Sequence, residues 1–454
     1  MKAHVLSIIL IVVSVLVLCT RTFGGTTFAW GAGLSFVVLC IVGLRSSTVR
    51  EALLLTASMG LTGIYVLQGG SGETLAAALD LAAFFAAFIL LLTALKIAAE
   101  RSRSVLAVGR YLIQQPASGR YVATATGGHF LGVFLNFGAI SLMAPLIQNA
   151  AKDDTGSVNK ELERRQISAL LRGFAWILLW APTTLTQAVL LTLFTEVSYG
   201  TLIAMGIATA ALMMGIGFLF DRMEWRHTAP PTKQAPTFPT ADFARLSLVC
   251  ATLIAATACL QIWLGYTTAL ALMFVAPTVT LLWFMAQRPK GMHMGTQLTV
   301  FWPALADNAP GLARSAIALG LSGFIGRMLA DVLPIEALTA QVDLAGLPGW
   351  MVLAALPVLI TLGGQIALSP IILVVFLGQV IQTLPNLPAD PTNIVFALSA
   401  GWALSMFASP NATATLLISA TTKLAPTTLT WGWNLKYGAV CYVILVAIFA
   451  LLEA

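Results

Sequence analysis

The chain has 454 residues, of which 58% are hydrophobic and only 9% are charged, 24 of them basic and 18 acidic. A soluble domain carries about 25% charged and about 45–50% apolar residues, so this composition excludes a soluble enzyme, a disordered regulator and a coiled coil. The net charge of +6 does not mark a nucleic-acid binder either, because the basic residues stand between apolar segments.

The fold class that remains is an all-α polytopic membrane protein. A spanning helix needs ~20 apolar residues at ~1.5 Å rise each. Residues 5–19 follow Lys2 as a secretory leader would, but no small-x-small site precedes Arg21-Thr22, so a retained first span is expected. Further spans follow at 28–44, 53–67 and 75–97. Residues 120–150 are too long for one span and are interrupted by glycine, asparagine and proline. Spans at 173–194 and 202–220 complete the first half. A polar linker over 221–244 contains Pro230-Pro231, Pro236 and Pro239 and reads as a flexible cytoplasmic tether. The second half has spans at 246–264, 269–285 and 312–333, an interrupted stretch at 349–383, and spans at 393–421 and 433–452. The expectation is about 11 transmembrane helices and two re-entrant hairpins. Cys19, Cys40, Cys250, Cys259 and Cys441 all lie in apolar runs without CxxC spacing and read as inert buried thiols.

Lysine and arginine positions set the expected orientation. With the N-terminus cytoplasmic, Arg45, Arg50, Lys96, Arg101, Arg103 and Arg110 fall inside. Lys152, Lys160, Arg164 and Arg165 stay inside only if 120–150 enters and returns on one side. Arg222, Arg226, Lys233, Arg288, Lys290, Lys423 and Lys436 follow the same rule, and the loops around 349–383 lack basic residues, so that hairpin enters from outside. Arg21 and Arg327 alone depart from the pattern, and the C-terminus falls in the periplasm. Asp331, four residues after Arg327, is placed to pair with it on one helix face.

The halves repeat. Gly173-Phe-Ala-Trp-Ile-Leu-Leu-Trp-Ala-Pro-Thr-Thr-Leu-Thr-Gln187 resembles Gly401-Trp-Ala-Leu-Ser-Met-Phe-Ala-Ser-Pro-Asn-Ala-Thr-Ala-Thr415 without a gap, and Gly127-Gly128 recurs as Gly363-Gly364. The expected domains are an extra N-terminal helix (1–25), a first repeat (26–220) with hairpin 120–150 and broken helix 173–194, the linker (221–244), and a second repeat (245–454) with hairpin 349–383 and broken helix 393–421. With opposite entry of the hairpins, these are inverted repeats of the kind that builds secondary transporters.

Irregular backbone at membrane depth is tolerated only where protein or a wet cavity satisfies it. The hairpins should turn near Asn136-Phe137-Gly138 and Leu368-Ser369-Pro370, and the broken helices near Ala181-Pro182-Thr183-Thr184 and Ser409-Pro410-Asn411. Proline removes a helix bond, and Thr186, Gln187, Thr413 and Thr415 offer short-range replacements. Helix N-termini at such breaks suit an anion, and freed carbonyls and hydroxyls suit a small cation. The alternative is an ordinary proline kink with threonine back-bonding, but two matched clusters, each after a hairpin, favour a site. None of the four elements has a charged residue near its break, which disfavours proton–metal exchange on a membrane carboxylate. Asp80 and Asp307 read as structural or interfacial. His129 is open to a proton-coupling or a hydrogen-bonded packing role. Trp176, Trp180 and Trp402 either line a pocket or pack.

With these residues in view, Asn136-Phe-Gly-Ala-Ile-Ser-Leu-Met-Ala-Pro145 resembles the Asn-Asp-Gly-Ala…Thr-Pro hairpin of the arsenite and citrate branches of the ion transporter superfamily, which also includes the divalent anion/sodium symporters. Phe137 stands where the arsenite branch has an acidic residue. The resemblance implies a homodimer with a fixed scaffold and a transport domain that moves like an elevator. It implies substrate or sodium sites at Asn136, Gly138, Thr183, Thr184, Ser369, Ser409, Asn411 and Thr413, with His129, Gln187 and Thr415 as candidates for coupling.

The expected function is therefore secondary active transport of a small organic or oxo-anion, such as a dicarboxylate, across the inner membrane, driven by sodium or protons. The chain is not expected to be an enzyme, to hold a cofactor or to bind nucleic acid; its partners would be the anion and membrane lipid. A sodium/proton antiporter, an arsenite-type efflux permease and a passive channel are the alternatives. An ATP-driven pump is disfavoured, because no Walker-type loop is present.

Overall fold

The computed structural model describes residues 2–44, 48–152, 157–224, 237–287, 294–333, 347–384 and 386–454. Arg45, Arg226, Lys233, Arg288, Lys290, Pro230-Pro231 and Pro236 lie outside them, as does most of the loop before residue 347. The described residues are almost entirely helical, and nine of their helices are long and apolar enough to cross a membrane. This is the expected all-α polytopic architecture. Residues 53–67 form the helix Val49–Leu67, which is not among the nine. The broken helix expected over 173–194 starts earlier, at Lys160. The third helix of the second half is also longer than its apolar run: Met294–Val332 continues through Pro303 and Pro310.

The chain divides into two compact units that do not follow the order of the repeats. The first comprises residues 1–98, 252–344 and 371–385. Here Lys2–Phe23 and Thr26–Gly43 form an antiparallel pair joined by Gly24-Gly25, whose φ of 69° and 96° are conformations that favour glycine. Both helices pack on Met294–Val332. That long helix presents Gly320, Gly323 and Gly326 at three-residue spacing to Phe36, Phe85 and Val375, so backbones approach closely, as small residues permit in membrane helices. The two arginines that break the charge pattern are both neutralised inside this unit. Arg21 pairs with Asp80, and Arg327 pairs with Asp331 at 3.4 Å and donates to Gln379.

The second unit comprises residues 99–251, 345–370 and 386–454. The first hairpin lies wholly within it: Ala117–Leu135 and Phe137–Ala150 pack on each other about Asn136. Of the second hairpin, Gly349–Gln365 belongs to this unit, and the helix Pro370–Gln382 belongs to the first from Ile371 onward. The first broken helix runs Lys160–Ala175, a 3₁₀ turn Trp176–Leu179, a break, and Leu185–Leu193. The second runs Pro391–Ala408, a break, and Thr413–Thr422. Two charged bridges, Arg165–Asp221 at 2.8 Å and Arg164–Glu224 at 3.1 Å, tie the start of the first broken helix to the end of Tyr199–Glu224.

In each repeat the hairpin's first arm lies against the first half of the broken helix. A glycine at the matched position makes this possible. A Cβ on Gly173 would run into the backbone of Ala125, and one on Gly401 would meet Pro357 Cα at 2.8 Å and Ile360 Cδ1 at 2.7 Å.

Candidate functional site at the two helix breaks

All the candidate substrate and coupling residues at the hairpins and breaks fall in the second unit, and the structure gives the two breaks parallel internal wiring. Pro182 has no N–H to continue the first broken helix, and the backbone tightens to 3₁₀ just before it. Thr184 caps the restart: its hydroxyl accepts from Gln187 N at 3.4 Å and donates to Ala181 O at 2.8 Å. Gln187 then reaches back nine residues, Nε2 donating to Leu178 O at 2.8 Å. In the second repeat Thr415, the residue at the position of Gln187, donates to Met406 O at 2.9 Å, again nine residues back. Both side chains staple the two halves of their helix across the gap.

Each break is also pinned to its hairpin from one matched position. Thr183 Oγ1 donates to Val133 O in the first hairpin. Asn411 Nδ2 donates to Gly364 O and Gln365 O, each at 3.1 Å, in the second. Ser409 Oγ also donates to Gly364 O at 2.6 Å. In the first repeat the hairpin answers: Asn136 Nδ2 reaches Thr183 O at 3.5 Å. Asn136 holds φ 49° and ψ −130°, a conformation that glycine adopts more easily, so a side chain is kept there at a backbone cost. The second hairpin ends its first arm in a Schellman turn, with Leu368 N donating to Gly363 O and Ala367 N to Gly364 O. Ala367 sits at the left-handed position, φ 65°.

The breaks differ in what they leave open. Among the described residues, Asn136 Oδ1, Thr186 Oγ1 and Gln187 Oε1 are sheltered without hydrogen-bond partners at the first break and its hairpin tip, whereas the second hairpin has one such oxygen, Thr361 Oγ1, within its first arm and the second break itself has none. At the second break Thr413–Thr422 begins with no side-chain cap on its first N–H groups, and Asn411 is exposed. The first break thus offers oxygens and the second offers N–H donors. Gln187 Nε2 also donates to Ser399 Oγ at 3.1 Å, which links the two broken helices directly.

Gly138 is buried inside the first hairpin's second arm, and Ser369 lies in the turn of the second hairpin, half-buried. His129 is held at both ring nitrogens: Nδ1 faces Gly173 O at 2.9 Å, and Nε2 accepts from Trp180 Nε1 at 3.1 Å. With Trp180 a donor only, the neutral Nδ1–H tautomer satisfies both contacts, and a second proton would set two N–H groups against each other. The geometry is that of a packing histidine. Trp176 packs too, fully buried and donating to Tyr437 Oη at 2.7 Å.

Sequence reading passed over Ser399, Gln365 and Arg172. Gln365 Nε2 donates to Ala408 O at 3.1 Å, and Trp431 donates to Gln365 Oε1 at 3.0 Å, so a glutamine near Gly363-Gly364 was a signal of helix-to-hairpin bonding. Arg172 is 3% exposed and donates to Asn434 Oδ1 at 2.7 Å and to Trp433 O at 3.3 Å, with its guanidinium 4.4 Å from the Tyr437 ring centre. Its signal was depth: it lies two helical turns beyond Arg165 in an otherwise apolar run.

No protein-family profile matches the chain, and no curated protein matches it. Among solved structures it is similar to the YdaH transporter of Alcanivorax borkumensis, at 16% identity and a TM-score of 0.51, with 80% of this chain and 84% of that one covered. It is also similar to Neisseria gonorrhoeae MtrF, described as illuminating a class of antimetabolite efflux pumps, at 14% identity and a TM-score of 0.49, covering 80% of this chain and 79% of that one. The likeness to YdaH shows the fold, a polytopic one found in a membrane transporter.

Proposed function

We propose that the chain is a secondary active transporter for a small anion, coupled to sodium and working by an elevator movement of the unit that carries both breaks. The observation that carries this reading is the division between the breaks. Uncapped N–H groups at the start of Thr413–Thr422, beside Asn411, make a positive helix end suited to a carboxylate or oxoanion. Asn136 Oδ1, Thr186 Oγ1 and Gln187 Oε1 are neutral oxygens lacking partners among the described residues, the donor type that hard cations take. Sodium is favoured over the proton because neither break contains a carboxylate and His129 has both nitrogens engaged. The same points weigh against the sodium/proton antiporter. Membership in the ion transporter superfamily, a homodimer and an inner-membrane location with a cytoplasmic N-terminus belong to this proposal.

The test is uptake in proteoliposomes, with labelled dicarboxylates and oxoanions, with and without an inward sodium gradient. Saturable, sodium-dependent uptake that Asn411→Ala and Asn136→Ala each abolish, with both variants still monodisperse and cooperatively melting, is the expected result. Linear, gradient-independent flux would make the protein a channel. Unchanged uptake in both variants would remove the site assignment.

A further inference from the structure

The first unit holds a cavity that transport at the breaks does not use. It has a volume of about 240 Å³ and lies beside the Gly24-Gly25 turn, bordered by Thr20 on one side and Thr26 on the other. Most of its wall is apolar, from Ala29, Gly33, Ala76 and Leu79, and Trp30 stands half-exposed at its edge. A tryptophan at a helix end with one face open is characteristic of the membrane–water interface.

The charged residue of the wall is Asp80, and Arg21 stands beside it. Asp80 lines the cavity and pairs through Oδ2 with Arg21, whose guanidinium also lies 5.5 Å from the Phe84 ring centre. Asp80 Oδ1 is sheltered from solvent and has no hydrogen-bond partner among the described residues. A sheltered acceptor left unmet is unfavourable, and a charged one more so, so this oxygen calls for a donor. On the other side Thr26 opens a helix of 18 residues whose first N–H groups have no side-chain cap. That helix end and the Arg21 guanidinium together attract an anion.

An apolar wall at interface depth, an anion-attracting corner and an unmet carboxylate oxygen describe one class of ligand: a phospholipid whose head carries a phosphate and an N–H ammonium. We propose that this cavity is a phosphatidylethanolamine site, with the phosphate against Arg21 and the helix start at Thr26, and the ammonium donating to Asp80 Oδ1. Phosphatidylcholine presents a quaternary ammonium without N–H, and phosphatidylglycerol offers only neutral hydroxyls, so neither gives Asp80 a positively charged donor. The site also gives a use to Arg21, one of the two basic residues on the outer side of the charge pattern.

Native mass spectrometry of the full chain, released from nanodiscs of phosphatidylethanolamine, phosphatidylcholine or phosphatidylglycerol, tests this. Retention of phosphatidylethanolamine at least about tenfold above both others is expected for the natural sequence, and equal retention of the three would overturn the site. Phosphatidylglycerol held as well as phosphatidylethanolamine would also overturn it, because the Asp80 contact would then contribute nothing. Asp80→Asn should erase the preference between phosphatidylethanolamine and phosphatidylcholine. Should Asp80→Asn fail to fold, Ala29→Leu decides: it fills the cavity while keeping the Arg21–Asp80 pair. Loss of the retained lipid at an unchanged melting temperature supports the site, and undiminished retention refutes it. The readout is lipid retention, so it stands or falls independently of the transport assay.

Discussion

The two breaks are built to one plan and finished differently. Thr183 and Asn411 occupy equivalent positions, and each donates to a carbonyl of its own hairpin; Gln187 and Thr415 each bridge nine residues across the gap. The first break, however, uses a glutamine where the second uses a threonine, and only the longer side chain has an atom left over. Its Oε1 finds no partner among the described residues, while Nε2 serves both Leu178 and Ser399. The capping is reversed as well: Thr184 caps one restart, and nothing caps the other. Two similarly wired breaks thus differ, one with unmet oxygens and one with uncapped N–H groups, without a charged side chain at either.

The largest effect should come from removing what the repeats share. Gly173→Ala forces a Cβ onto Ala125 O and should cost about 3 kcal/mol or more, with Gly401→Ala somewhat milder because its nearest backbone atom, Pro357 Cα, lies farther off, at 2.8 Å, and Ile360 can rotate. Thermal unfolding in detergent should rank them in that order, and equal melting temperatures would mean that the two seams are equally tight. Next come the staples. Gln187→Ala strips partners from both Leu178 O and Ser399, so it should lose about 1–3 kcal/mol, against about 1 kcal/mol for Thr415→Val, which removes one bond at constant shape. Chemical denaturation of the two variants side by side checks the ratio.

Smaller in stability but sharper in function is Asn136→Gly. It relieves the φ 49° backbone while deleting the side chain, so it should melt no lower than the natural protein and still lose sodium dependence in the uptake assay. Retained sodium dependence would reduce Asn136 to a turn residue. The smallest effect belongs to Ala367→Gly, expected to raise stability by up to about 1 kcal/mol, because glycine accepts the left-handed φ that alanine holds there under strain. A lower melting temperature would show that the second turn needs its methyl group.

The break positions were legible because proline, polar residues and a 228-residue echo coincide at Pro182 and Pro410, signals that need no tertiary knowledge. The hairpin tip at Asn136 was legible for the same reason. What stayed hidden depends on packing between distant segments. Gln187 looks like any polar helix residue until Ser399, 212 positions away, is beside it. Arg172 did not stand out, since depth along a helix that starts at Lys160 cannot be measured before that start is known. The compact units were equally out of reach: they take pieces from both halves of the chain, and hydropathy records only what is apolar, not what it packs against.

The close seams at Gly173 and Gly401 have a mechanical consequence. Where one backbone rests directly on another, no side chain stands between them to change rotamer, so each hairpin arm and its helix partner can slide only by separating entirely. Each pair is therefore stiff along its length. Any bending within this unit is left to the few joints that lack such a seam, and the turns at Asn136 and Ala367, already held away from relaxed backbone angles, are the places with elastic energy to release.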